Sequence, residues 1–447
     1  MFPAFEAVRG RPTVGLLRKL HQSERWSSDE LRGLQVGLFR RLIRHAYRHT
    51  AFYRQVLDDR GLTPEAFSSL DDLHKLPLLE RPVLRASLDT RTATAPPYVE
   101  ITKTTSGSSG EPVTVKYNAE SRHWRDATRW RAYGWGGYQI GQRAVHYWGA
   151  GFAPTTTWWK QQKAHIDHRI KRDLYIDCTP RGDAALRDVV DRLRRYQPST
   201  IVAYASGAAA LARFVNDHNL RAWNDISVLT GAEGLMAPDR AAIERAFGPA
   251  FDTYGCREVM LIGAECEAHD GMHTSMENLI VELVVREPDG TCRAAKPGET
   301  GEVVVTDLHN LACPMIRYVN GDLAVARDEQ PCACGRGLVR IGPIEGRVTE
   351  TLYDGQGRAV GGLVFNILFA AIGKIAHSFQ VVQRRDRSVV FKIVPLTGTM
   401  MPEREARILR DYADKYLPGV PFTIEVVDDI PLTAAGKRKV VVVEKSA

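Results

Sequence analysis

The sequence predicts an α/β protein, with a large N-terminal domain holding several sheets and a small C-terminal α+β domain. Three observations lead there. Short apolar runs alternate with helical patterns from about residue 98 onward. A glycine-rich polar stretch, residues 345–362, interrupts that alternation and reads as a hinge. The last hundred residues then carry strand, strand, helix and strand patterns close together.

The elements follow in order. The lead-in, about residues 1–95, is helical. Ser28-Asp29-Glu30 can cap a helix whose apolar stripe runs through Leu31, Leu34, Leu38 and Leu42. A second helix is expected around Ala51 to Leu57. Leu76-Pro77-Leu78-Leu79 and Arg81-Pro82 read as a linker. Thr114 to Tyr117 alternates like a strand, and Ser121 to Tyr133 has helical spacing. Ile201 to Tyr204 and Val228 to Thr230 are short buried strands, followed by helices over Gly207 to Asn216 and Ala237 to Phe247. Asn278 to Arg286 and Gly301 to Thr306 read as longer strands. The hinge near residues 345–350 divides the chain into domains 1–346 and 347–447. Beyond it, strands are expected near Phe379 to Gln383, Ser388 to Val394 and Thr423 to Val427, with a helix near Pro402 to Tyr416.

Composition narrows the function. The 447 residues suffice for two to three cores. Sixty basic against 53 acidic residues leave a net charge of +7, which suits anionic substrates without demanding them. No long basic run with interleaved aromatics points to nucleic acid. No run of about 18 apolar residues points to a membrane span. Met1 to Leu20 lacks the apolar core of a signal peptide, so a cytoplasmic protein is expected. Seven cysteines, an odd number without an export signal, favour thiols or a metal site over a disulfide framework.

Several segments carry chemistry. Thr104-Thr105-Ser106-Gly107-Ser108-Ser109-Gly110-Glu111-Pro112 offers hydroxyls and unshielded backbone N–H groups, which can approach phosphate oxygens. It lacks the Gly-Lys-Ser/Thr of a P-loop, and its composition is also that of a flexible linker. Gly231-Ala232-Glu233 and Tyr254-Gly255-Cys256-Arg257-Glu258 offer a turn, an aromatic face for a purine and a carboxylate for a hard cation. Asp322, in Arg317-Tyr318-Val319-Asn320-Gly321-Asp322, can accept from ribose hydroxyls. Gly346-Arg347 opens the hinge, and Pro431-Leu432-Thr433-Ala434-Ala435-Gly436-Lys437 ends on a compact cation. Trp148, Gly149 and Ala150, with Phe152, Trp158 and Trp159, can form a flat slot for a planar acid, though core packing explains such residues equally well; His146 can neighbour the acid's carboxylate or be a structural histidine. Cys332-Ala333-Cys334-Gly335 and the upstream Cys266…His273 segment supply soft ligands for tetrahedral zinc. The preferred set is Cys266, His273, Cys332 and Cys334, with His269 and Cys256 as rivals. Cys178, Cys292 and Cys313 have no evident partner.

In that order, these motifs resemble those of the adenylate-forming superfamily of acyl-CoA synthetases, nonribosomal peptide adenylation domains and luciferases. The phenylacetate-CoA ligase-like branch is the nearest, over nearly the whole chain. The resemblance implies ATP-dependent activation of a small carboxylic acid, aromatic acids included, to an acyl-adenylate with release of pyrophosphate. Coenzyme A is the favoured acceptor; an amine or hydroxyl acceptor, adenylylation of a hydroxyl, and a non-catalytic zinc-stabilised binding protein are the alternatives. It assigns the adenine-contacting turn to Gly231, Ala232 and Glu233, the adenine-facing ring to Tyr254 beside Gly255, and magnesium to Glu258. Ribose falls to Asp322, ribose or phosphate to Arg347, and the phosphate charge to Thr104–Gly110 and Lys437. Some members of the branch carry a similar Cys/His and Cys-x-Cys arrangement. A homodimer is among the assemblies open to the chain. Two departures stand out. Glu111 occupies a position where many relatives carry Lys, and Thr349, followed by Glu350, occupies the usual charged hinge position.

Overall fold

The computed structural model describes residues 6, 10–104, 113–148, 166, 168–178, 182–287, 289–347, 352–355, 359–360, 376–395, 403–431 and 439–444. Helices Thr13–Ser23, Ser28–His49 and Ala51–Asp58 form the lead-in. The second begins at a capping box one residue earlier than the sequence suggests. Ser27 Oγ accepts from the Glu30 N–H, and the Glu30 carboxylate accepts from the Ser27 N–H at 2.8 Å.

The strands are β1 Ile101–Thr104, β2 Thr114–Tyr117, β3 Ala144–Trp148, β4 Asp173–Asp177, β5 Thr200–Tyr204, β6 Ser227–Gly231, β7 Ala250–Cys256, β8 Met260–Glu265, β9 Met272–Thr274 and β10 Leu279–Arg286. They continue with β11 Cys292–Ala294, β12 Thr300–Asp307, β13 Tyr318–Ala326, β14 Arg340–Arg347, β15 Leu352–Tyr353, β16 Ala359–Val360, β17 Ala376–Gln383, β18 Val389–Pro395, β19 Phe422–Val426 and β20 Val441–Val443. β3 to β14 form one twelve-stranded sheet in the order β11-β10-β12-β13-β14-β9-β8-β7-β6-β5-β3-β4. β4, β3, β5, β6 and β7 run parallel; from β7 onward the pairs are antiparallel.

Sequence explains the parallel half. All five residues of β5 are buried, as expected of a strand covered on both faces. The Asp183–Tyr196 helix buries Leu186, Val189, Val190 and Leu193, an i, i+3, i+4, i+7 stripe facing that sheet. The alanine-rich Ala205–Asp217 helix approaches closely; a Cβ on Gly207 would lie 3.2 Å from the Cys178 side chain. Ala119–Trp135 covers the opposite face with Trp130, joined by Val14 and Leu17 of the first helix.

The supposed linker at residues 76–82 requires correction. Leu79 bridges to Tyr318 and is 3% exposed; its N–H donates to the Arg317 carbonyl at 2.8 Å. Arg81-Pro82 opens the Arg81–Ala86 helix, because proline lacks only an N–H that the first turn leaves unused. The segment is thus fastened to the sheet beside the site.

The C-terminal part has its own four-stranded sheet, ordered β19-β18-β17-β20, and a helix over Glu403–Tyr416. Its core gathers Leu352, Phe379, Val381, Phe391, Leu409 and Leu417. The mixed α/β fold with a separate C-terminal sheet is as the sequence predicts. No helix among the described residues is long and apolar enough to cross a membrane.

Candidate active site

The carboxyl ends of the parallel strands carry Trp148, Gly231 and Tyr254 of the residues singled out from the sequence. In open α/β sheets that edge is where ligands bind, because the strand ends splay and leave a crevice. Trp148 ends β3, Tyr204 ends β5 and Gly231 ends β6, with Tyr254 near the end of β7. The Trp148 and Tyr204 rings lie 4.4 Å apart at 57°. A Cβ on Gly231 would sit 2.8 Å from Thr253 Oγ1 and 3.7 Å from the Trp148 indole, so only glycine fits without displacing its neighbours.

After Gly231 the chain turns sharply. Ala232 adopts φ +67°, a left-handed conformation that costs a residue with a Cβ about 1–2 kcal/mol. Glu233 accepts from the Ser206 N–H at 2.9 Å and so caps the start of the Ala205–Asp217 helix. Asp252 of β7 lies beneath this turn. Its carboxyl accepts from Thr230 Oγ1 at 2.9 Å and from the Leu235 N–H at 3.3 Å. Burial, with the Glu265 carboxylate close by, pushes its pKa up to about 7.

The Tyr254–Glu258 segment turns from β7 into β8. A Cβ on Gly255 would collide with the Met260 carbonyl across the hairpin, which fixes glycine there. Tyr254 donates its hydroxyl to Asp322 Oδ2 at 2.8 Å and accepts from Asn320 Nδ2 at 2.6 Å. Burial holds its pKa well above the ordinary value, so it remains a neutral donor. Asp322 faces Arg347 across the β13–β14 ladder. Glu258 is 3% exposed; it accepts from the Tyr318 hydroxyl at 3.2 Å and lies 3.5 Å from Arg81 Nη2. Its carbonyl accepts from Arg125 at 2.8 Å, and Arg125 is itself fixed by Asp307 at 2.6 Å. The Glu258 carboxylate is a hard oxygen donor held in place, which fits a magnesium ion.

Thr104 ends β1 and its hydroxyl lies 3.2 Å from that of Thr114. Thr105–Pro112, Gly149, Ala150, Phe152, Trp158, Trp159 and Lys437 lie outside the described residues, as does the Arg347 side chain. His146 stacks on Tyr175 at 4.5 Å and lies 3.4 Å from Asp173, so its described contacts are with the edge strand. Sequence reasoning gave no role at the site to Asp252, Arg81 and Arg125, and held Tyr318 and Asn320 only as members of the Arg317–Asp322 motif; of the first three only Asp252 carried a signal, standing two residues before Tyr254.

A second cluster gathers Cys266, His273, Cys332 and Cys334, whose ligating atoms all lie within 4.8 Å of one another. The Cys266 and Cys332 sulfurs are 3.8 Å apart. Tetrahedral zinc with Zn–S near 2.3 Å requires a sulfur edge of about 3.8 Å. His273 Nδ1 is 2.8 Å from the Leu338 carbonyl, which directs Nε2 toward the Cys334 sulfur at 3.2 Å. Burial lowers the His273 pKa to about 4 and keeps the ring in its ligating neutral form. The rivals stand outside the cluster: His269 is 3.2 Å from Glu265, and Cys256 lies in the β7–β8 hairpin. Cys178 and Cys313 are buried, and Cys292 is exposed.

Comparison with known proteins gives the class and then the family. A solved 2-hydroxyisobutyryl-CoA ligase, in the postadenylation state with R3-HIB-AMP, superposes with a TM-score of 0.73. At 18% identity it covers 94% of this chain and 90% of its own, and so establishes an adenylate-forming fold. Phenylacetate-coenzyme A ligase of Escherichia coli is 30% identical over 68% of this chain and 69% of its own length. That of Thermus thermophilus is 28% identical over 80% and 79%. The chain belongs to the phenylacetate-coenzyme A ligase family of AMP-forming ligases. No protein-family model matches it.

Proposed function

We propose that this protein activates a small carboxylic acid with ATP and passes the acyl group to coenzyme A. The observation that carries this is the convergence of the Gly231 turn, Tyr254, Glu258 and the Asp322–Arg347 pair at one edge of the sheet. The related phenylacetate-coenzyme A ligases support the same acceptor. In the first step the acid carboxylate attacks the α-phosphorus, and the bond to pyrophosphate breaks. In the second, the coenzyme A thiolate attacks the acyl carbonyl and AMP leaves.

Tyr254 lies against adenine beside the Gly231–Glu233 turn, Asp322 accepts from the ribose, and Arg347 contacts ribose or phosphate. Thr104–Gly110 and Lys437 offset the charge that develops on phosphate and pyrophosphate. Glu258 would hold the magnesium that accompanies ATP, its carboxylate kept in place by Tyr318 and by the bond from Arg125 to its carbonyl. Trp148 and Tyr204 wall the acid pocket. Cys266, His273, Cys332 and Cys334 would hold a zinc ion, and four protein ligands would give it a structural role. Residues 1–346 and 347–447 are the two domains, and residence in the cytoplasm completes the reading.

The test is acid-dependent exchange of pyrophosphate into ATP across short aliphatic acids, benzoates and arylacetates, followed by thioester assay with coenzyme A. Exchange with at least one acid and thioester formation from it are expected. No exchange with any acid in the presence of magnesium would sink the activation step. Exchange without thioester, but with amide or ester formed, would replace the acceptor.

A further inference from the structure

The carboxyl of Asp252 holds both ends of the turn that follows β6. One oxygen accepts from Thr230 Oγ1 at 2.9 Å and from the Thr253 N–H at 3.0 Å; the other accepts from the Leu235 N–H at 3.3 Å. Thr230 immediately precedes Gly231, and Leu235 is the residue where the chain leaves the turn. Thr253 Oγ1 in turn donates to the Thr230 carbonyl at 2.7 Å and occupies the space a Gly231 side chain would need. Asp252 is itself fixed. Its N–H donates to Glu265 Oε2 at 2.9 Å, and Arg240 grips both Glu265 oxygens at 2.8 and 2.9 Å while donating to the Ala250 carbonyl. A backbone held at φ +67° by an alanine persists only where its surroundings over-determine it, and this bracket supplies that constraint.

We propose that Asp252 is a positioning residue that sets the Gly231–Leu235 turn, and through it both the adenine-contacting edge and the floor of the acid pocket. The inference rests on the nucleotide site assigned above. Asp252 touches neither substrate; it acts through Gly231, whose position relative to Trp148 and Thr253 defines the pocket floor. It acts also through Glu233, which must remain on the Ser206 N–H for the turn to meet the Ala205–Asp217 helix.

The experiment measures binding of ATP alone by calorimetry, so that no acid need be known. Melting temperature and amide hydrogen exchange over residues 228–236 are followed in parallel, in the full-length protein and its Asp252→Ala and Asp252→Asn variants. Asp252→Ala should weaken ATP about 10-fold or more and speed exchange at Leu235, while strand amides of β5 and β10 keep their protection. Asp252→Asn should lose only about 2- to 5-fold, because its amide oxygen still accepts from Thr230 and Thr253. A folded Asp252→Ala protein that binds ATP within 2-fold of wild type would overturn the inference. So would exchange that rises equally everywhere, which marks a purely structural role. Should Asp252→Ala not fold, Thr230→Val removes one donor into the bracket; a 2- to 5-fold loss supports the inference and an unchanged affinity overturns it. A wild-type protein that binds no ATP would instead refute the nucleotide site, and the inference with it.

Discussion

Asp252 also makes a pH prediction that is independent of its role in the turn. Its pKa is about 7 in the folded protein against 3.8 for an ordinary aspartate, because burial and Glu265 disfavour the charged form more than the Thr230 and Leu235 hydrogen bonds and Arg240 relieve it. His269 and Glu244 lie beyond, on Glu265 and Arg240. Below about pH 4 the group is protonated whether folded or not. Between about pH 4 and pH 7 the unfolded chain loses this proton and the folded one keeps it. Stability therefore falls through that window, by on the order of 4 kcal/mol, and levels above it. Asp252→Asn removes the slope, so its melting temperature relative to wild type should rise from pH 5 to pH 8; a difference constant with pH would refute the raised pKa. Gly231 makes a second prediction at this scale. A methyl there must push Thr253 off the Thr230 carbonyl. Gly231→Ala should cut acid-dependent exchange about 10-fold or more, with the loss chiefly in the acid's KM. An unchanged KM would mean that the acid does not lie over Gly231.

Among elements, β14 joins the two clusters. It begins with Arg340 opposite His273 and ends with Arg347 opposite Asp322. A metal on Cys266, His273, Cys332 and Cys334 would thus anchor the strand whose other end carries Arg347, the residue proposed for ribose or phosphate. Arg336, 5.0 Å over the Trp135 ring and paired with Glu24 and Glu267, ties the Cys332–Arg336 turn to the end of the first helix and to the Ala119–Trp135 helix. One zinc per chain is expected by elemental analysis. Cys332→Ser should lose it, lower the melting temperature by roughly 10 °C and weaken ATP binding several-fold. A zinc-free Cys332→Ser protein of normal stability would contradict a structural metal. The legibility of these elements follows their physics. β5 and β6 are readable because strands buried on both faces are apolar runs. The Asp183–Tyr196 helix escapes notice, its apolar stripe being set among charged residues. β8 and β9 escape because Gly263 and His273 break any alternation, and β9 has only three residues. The four cysteine and histidine positions are readable because close thiol pairs are chemically unusual. The partnership of Tyr318 and Arg81 with Glu258 is not, because it spans 60 residues in one case and more in the other.

At the scale of the whole molecule, the sheet and the C-terminal part divide the proposed chemistry. Everything that would recognise adenine, ribose and magnesium lies before residue 348, on the twelve-stranded sheet or in the turns at its strand ends. The cation assigned to the developing phosphate charge, Lys437, belongs to the part whose core is built on β17, β18 and the Glu403–Tyr416 helix. That part has its own sheet and core, although Met236, just beyond the Gly231 turn, packs against that core. The separation makes Lys437→Ala a clean division of the two steps. ATP affinity should change no more than about 3-fold, since the binding residues are untouched. Acid-dependent exchange should fall about 100-fold or more, the worth of a charge acting in the transition state alone. Thioester formation from a chemically prepared acyl-adenylate should persist, because no pyrophosphate leaves in that step. If Lys437→Ala lost ATP affinity and exchange in parallel, the lysine would be a binding residue for the ground state. If it also lost the thioester step, the two half-reactions would share one arrangement of the C-terminal part.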